Sequence, residues 1–180
     1  MLFLEWRKIK YIRRLILIEY FIHYGSPNQS GNTAALAKEL LNGKEYETLN
    51  LTDYRIGSYG QNFEDDQLCQ VIEKIKEAEV IVIGSPLYWH NICGSVRNMM
   101  DRFYGLVEEG SFSGRTLYFL FQGAAPEKWM IETGEYTMKR FAGLYGMKYG
   151  GMATNKAEAN RLSIQLKDNG GSNYGICNIE

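Results

Sequence analysis

Two kinds of apolar pattern alternate along the chain. Predominantly apolar runs, followed closely by Gly or Pro, stand at Leu15–Tyr24, Val80–Gly84 and Thr116–Phe121. Such runs predict buried strands. Glu45–Leu51 alternates and predicts a further strand, and Lys148–Ala153 predicts a weaker fifth one. Between them, apolar residues recur at helical spacing. Leu36, Leu40 and Leu41 mark a helix over Gly31–Asn42, and Leu68, Val71, Ile72 and Ile75 mark one over Asp66–Ala78. Val96, Met99, Met100 and Phe103 mark Gly94–Leu106, while Met130, Met138, Phe141 and Leu144 mark Lys128–Tyr145. A short last helix is expected over Ala157–Leu166. The polar stretch Thr52–Glu64, with Gly57 and Gly60, predicts a loop.

Strand and helix thus alternate five times, and the first, third and fourth strands are mostly apolar runs rather than alternating patterns. A strand buried on both faces belongs to a parallel sheet covered by helices on both sides. With right-handed crossovers the expectation is an α/β fold: an open, doubly wound, five-stranded parallel sheet of order 2-1-3-4-5. The domain is expected over 15–167, with an extension at 1–14 before it and a Gly- and Asn-rich, mobile tail at 168–180.

Composition narrows the function. The 180 residues suit one domain, and 20 basic against 21 acidic side chains give a net charge of −1. A nucleic-acid binder usually carries a basic excess, so none is expected as partner. The run at Leu15–Ile18 is broken by Glu19 and is far shorter than the ~20 apolar residues of a membrane span. Cys69, Cys93 and Cys177 show neither a disulfide framework nor a metal-binding spacing. That fits a reducing cytosol and predicts no metal site.

In the expected strand order, strands one and three are neighbours whose chains leave in opposite directions. A ligand crevice opens at such a switch point. Two loops meet there, and each begins Gly-Ser-Pro. The first, Gly25–Thr33, has small hydroxyl residues, two glycines and an immediate helix start. Exposed amides at a helix N-terminus favour an anion, though the same residues would also serve as a plain helix cap. The loop has no lysine and no GxGxxG, so it is neither a triphosphate loop nor a dinucleotide fingerprint. The second, Gly84–Ile92, carries Tyr88 and Trp89. That pair suits a flat aromatic ligand, or packing under a neighbouring loop or subunit. His23 reads as structural and His90 as a loop histidine rather than a general base, and Cys93 and Arg97 lack phosphatase spacing. Glu108-Glu109 reads as a solvated helix end, and Glu64-Asp65-Asp66 as an acidic first helical turn.

With these motifs the chain resembles the flavodoxin-like NAD(P)H-dependent FMN reductases and their quinone-reductase and iron–sulfur flavoprotein relatives. The likeness rests on Gly25-Ser26-Pro27 with Gly31-Asn32-Thr33, on Ala78 to Trp89, and on Arg97 with Asp101-Arg102-Phe103. It implies FMN as cofactor, with the phosphate on Ser26, Asn28, Ser30, Asn32 and Thr33. The ribityl chain and ring would lie on Pro86, Leu87, Tyr88 and Trp89, and Gln122, Gly123 and Ala124 would approach the ring. It implies NADH or NADPH as co-substrate, and a quinone, flavin, azo or nitro compound as acceptor. A homodimer is also implied. Asn28 stands where family members often have arginine. The iron–sulfur branch is set aside, because Ile56–Asp66 contains no cysteine and a cluster needs four thiolates. No catalytic side chain is required, since the cofactor carries the chemistry. Trp89, His90, Trp129 and Tyr59 are candidates for lining the acceptor pocket. The alternative is a non-enzymatic electron carrier or binding module; a net charge of −1 suits a carrier poorly, since charge complementarity steers docking.

Overall fold

The computed structural model describes residues 20–24 and 30–170. Its strands are β1 (Tyr20–Tyr24), β2 (Tyr46–Asn50), β3 (Val80–Tyr88), β4 (Asn91–Ile92), β5 (Thr116–Gln122) and β6 (Lys148–Ala153). Its helices are α1 (Asn32–Leu40), α2 (Leu68–Glu77), α3 (Gly94–Phe103), α4 (Lys128–Leu144) and α5 (Lys156–Gly170), with one 3-10 turn at Leu51–Asp53.

Five strands pair in the order β2-β1-β3-β5-β6, all parallel. A sixth, β4, is two residues long and runs antiparallel to the end of β3. Period-two alternation along the central strands divides the core in two. Ile81, Ile83, Leu117, Phe119 and Phe121 face α2, α3 and α4, whose Val71, Ile75, Val96, Met99, Phe103 and Met138 cover them. Val80, Val82, Tyr118 and Leu120 face the other way, under Leu36, Ala37 and Leu40 of α1 and Ala159 and Leu166 of α5. Both faces of β3 and β5 are therefore dry, which is why their sequences are unbroken apolar runs.

Several boundaries differ from the sequence reading. β3 runs four residues past Gly84, because Ser85 and Pro86 remain paired with Phe121 and Gln122 of β5. α3 ends at Phe103 rather than Leu106, and α2 begins at Leu68 rather than Asp66. α5 continues to Gly170, so residues 168–170, expected in a mobile tail, are helical. The expected strand start at Leu15, the extension at 1–14 and the remainder of the tail lie outside the described residues. Among the described residues no helix is long and apolar enough to cross a membrane.

One glycine is fixed by packing. Gly134, buried in α4, lies over Phe121, and a Cβ there would run into the Phe121 ring. That ring is fully buried, so it has nowhere to move. Overpacking costs ~1–3 kcal/mol, while Ala gains up to ~1 kcal/mol of helix propensity over Gly. Gly134→Ala is therefore expected to lower stability by about 1–2 kcal/mol in urea unfolding, although Ala is the better helix former.

Candidate functional site

β1 and β3 lie side by side, Tyr24 opposite Gly84. The helix after β1 covers one face of the sheet and the helix after β3 covers the other. In open α/β sheets ligands bind outside the carboxyl ends of the strands at such a switch point.

On one side stands the start of α1. Its N-cap, Gly31, is extended (φ −73°, ψ −179°) and has no side chain of its own to cap the helix. The first intrahelical bond runs from Ala35 N to Gly31 O at 3.0 Å. The amides of Asn32, Thr33 and Ala34 therefore precede the helical ladder and point out of its end. With the helix dipole behind them, they form a seat for an anion. Thr33 is buried there, while Ser30 and Asn32 are exposed. Ser26 and Asn28 lie outside the described residues.

On the other side, β3 runs out into a hairpin. Ser85, fully buried, fixes its base: Oγ accepts from Cys93 N at 2.9 Å and donates to Pro86 O at 2.8 Å. Leu87 pairs with Ile92 and Tyr88 with Asn91, so Trp89 and His90 are the two central residues of the turn. Both have positive φ, 48° and 64°. This is the primed geometry that two-residue hairpins need, normally supplied by Asn-Gly. In a bulky L-residue the left-handed region costs roughly 1–2 kcal/mol each. His90 meets Trp129 of α4 edge-on, ring centroids 5.6 Å apart. Such a contact contributes ~0.5–1.5 kcal/mol beyond area burial, the same order as the strain at one residue. The Trp89 indole is 95% exposed and serves no core of this chain.

The loop after β5 closes against β3. Gln122 pairs with Pro86, and its Nε2 donates to Gly123 O at 3.0 Å. A Cβ on Gly123 would come within 3.0 Å of Leu87 Cβ, so glycine permits this approach. Pro86, Leu87, Gln122 and Gly123 are thereby brought together; Tyr88, Trp89 and Ala124 project to the surface beside them. Of the acceptor-pocket candidates, His90 and Trp129 meet. Tyr59 does not join them, pairing with Tyr104 at 6.4 Å.

A second anchor lies behind the site. The loop between the 3-10 turn and α2 is tied down onto α3. Arg102 Nη1 donates to Asp66 Oδ2 at 2.7 Å and to Gly57 O at 2.9 Å. Asn98 Nδ2 donates to Ile56 O at 3.0 Å and Gly57 O at 3.1 Å. Asp66 also accepts from Gly57 N at 2.9 Å and from Leu68 N at 3.0 Å. Burial alone would raise the Asp66 pKa; the hydrogen bonds from Arg102, Gly57 and Leu68 outweigh it and hold the carboxyl below its ordinary value. Asp66, read from the sequence as part of a helix's acidic first turn, is thus the latch of a loop. The spacing of 36 residues to Arg102 gave no local signal for it. Cys69 is exposed and Cys93 buried, and among the described residues no group of three or more His, Cys, Asp or Glu could hold a metal.

A helix start with three amides outside its ladder, together with strand ends that approach through a glycine, fits a cofactor with an anionic tail and a flat head. The family comparison agrees: residues 20–158 match the family described as NADPH-dependent FMN reductase. The chain belongs to that family. FMN is the cofactor assignment that follows from the family. Over 90 residues the chain is 37% identical to an iron-sulfur flavoprotein of Archaeoglobus fulgidus, covering 43% of this chain and 45% of that one. The chain spans about half the length of the curated relatives it matches. Its own segment between β2 and α2 carries no cysteine, and the whole sequence has three. A four-thiolate cluster therefore does not fit these residues. Among solved structures, the Trp repressor binding protein from Bacillus subtilis superposes with a TM-score of 0.65 at 18% identity, covering 79% of this chain and 98% of that one. An FMN-dependent NADH-azoreductase from Bacillus anthracis, in complex with FMN, gives 0.57 at 15% identity, covering 84% and 97%. These two show the shared flavodoxin-like α/β fold.

Proposed function

We propose that this family member is an oxidoreductase that passes two electrons from NAD(P)H through FMN to a small, flat acceptor. A quinone, flavin, azo or nitro compound meets that description. With a quinone the balance is NAD(P)H + H⁺ + quinone → NAD(P)⁺ + hydroquinone: the nicotinamide loses a hydride, and solvent supplies the second proton. FMN supplies the redox relay when bound; the protein supplies position and electrostatics.

The observation that carries the reading is the start of α1, whose glycine N-cap leaves its first amides outside the helical ladder, following β1 at the switch point between β1 and β3. In it, the amides of Asn32 and Thr33, with Ser26, Asn28 and Ser30, hold the phosphate. Pro86 and Leu87 back the ribityl chain and ring edge, Tyr88 and Trp89 flank the ring, and Gln122, Gly123 and Ala124 close the far side. The anchored loop from Tyr54 to Gln67 keeps α3 in place under β3. The homodimer implied by the resemblance belongs to the same proposal.

Titration of the purified protein with FMN is expected to quench flavin fluorescence at one equivalent per chain. The loaded protein is expected to oxidise NADPH with menadione faster than free FMN does. A protein that binds FMN without that acceleration is an electron carrier; one that ignores FMN is neither.

A further inference from the structure

The β3–β4 turn has an unusual composition for its shape. Both central positions are left-handed, and they are occupied by tryptophan and histidine instead of Asn-Gly. What offsets the strain is visible on α4. The His90 ring sits edge-on to Trp129 at 5.6 Å, with the ring planes 66° apart. Trp129 is itself tied down, its Nε1–H donating to Glu127 Oε2 at 2.9 Å at the start of the helix. Trp129 is half exposed, so it is not held there by the core. The consequence falls on the neighbour: with His90 fixed against α4, Trp89 points outward and is 95% exposed.

We propose that Trp129 is a positioning residue that holds the strained Trp89-His90 turn so that Trp89 and Tyr88 form an aromatic rim selecting flat aromatic acceptors. This rests on the function proposed above, because it places the rim beside the ring of FMN. A left-handed residue without its prop relaxes, and the rim then loses its fixed orientation. Aromatic stacking depends on that orientation, whereas a compact inorganic acceptor does not use it.

The test compares kcat/KM for menadione, a bicyclic quinone, with kcat/KM for ferricyanide, both with NADPH and FMN-loaded protein. Trp129→Ala is expected to lower the menadione-to-ferricyanide ratio about tenfold, mainly through a higher menadione KM. Trp129→Phe, which keeps a ring, is expected to restore most of it. Tyr136→Ala, an exposed aromatic further along the same helix, is expected to leave the ratio alone. Glycine adopts positive φ freely, so in a His90→Gly background Trp129→Ala is expected to change nothing further. A readout independent of turnover is amide hydrogen exchange in the FMN-free chain. Trp129→Ala is expected to raise exchange across residues 88–92 about tenfold, and Trp129→Phe is not. An unchanged ratio with unchanged exchange overturns the proposal, as does an equal loss in the His90→Gly background. Wild-type protein that neither binds FMN nor reduces menadione overturns the underlying function instead, and the exchange measurement then tells whether the prop itself exists.

Discussion

Replacing Arg102 with leucine is expected to cost about 2–4 kcal/mol of stability at pH 7, the scale for removing one partner of a buried ion pair. The estimate sits below the fully buried range because both side chains keep 14% exposure. Leucine fills the space of the Arg102 stem, so the loss reports the charge and its hydrogen bonds more than a cavity. Asp66 would keep two backbone donors, Gly57 N and Leu68 N, but no countercharge. The Gly57 carbonyl would keep its bond from Asn98. The loop is therefore expected to loosen at Asp66 first. The pH dependence follows from the sign of the shift. The folded Asp66 pKa lies below its unfolded value near 3.8. The stability it contributes is full above that unfolded value and is lost as pH falls through the still lower folded one. The gap between wild type and Arg102→Leu in urea unfolding is thus expected to be constant near neutrality and to narrow below about pH 4. A gap under about 0.5 kcal/mol at pH 7 would class the pair with ordinary surface bridges.

The sequence disclosed most where local pattern and final environment agree. Val80–Ile83 and Leu117–Phe121 are apolar on both faces because helices cover both faces, and periodicity reports that directly. The start of α1 was also legible, since Gly31 followed by leucines at helical spacing marks where a helix begins and exposes its amides. What stayed hidden depends on distant partners. β3 runs on to Tyr88 because Ser85 and Pro86 find partners in β5, 36 residues later in the chain. Asp66 is a latch because Arg102 reaches it across the fold. The Trp89-His90 turn is the sharpest case. Nothing in those two residues predicts positive φ, and local propensity argues against it; the hairpin pairing and the Trp129 ring override it. Gly123 lies between these cases: its place after a strand was readable, but its need to pass close to Leu87 was not.

Asn32→Asp is expected to separate phosphate binding from folding. Asn32 is exposed and is the first residue of α1. A carboxylate at that position interacts favourably with the helix dipole by about 0.3–1 kcal/mol, so the FMN-free chain is expected to be as stable as wild type or slightly more so. A phosphate dianion seated on the same amides meets a like charge. At an effective dielectric constant near 20, two unit charges ~6 Å apart repel by about 3 kcal/mol before salt screening. At an exposed position roughly half of that survives, so FMN binding is expected to weaken about 10- to 100-fold. Riboflavin has the same ring and ribityl chain without the phosphate, and its affinity is expected to stay within about twofold. Raising the salt concentration should shrink the FMN penalty and leave riboflavin unmoved. The contrast is specific to the seat. An equal loss for both ligands would mean that the substitution had distorted the crevice, and no loss for either would move the phosphate away from α1 altogether. A lower melting temperature of the FMN-free variant would show that the helix start is spoken for by some group other than an anion.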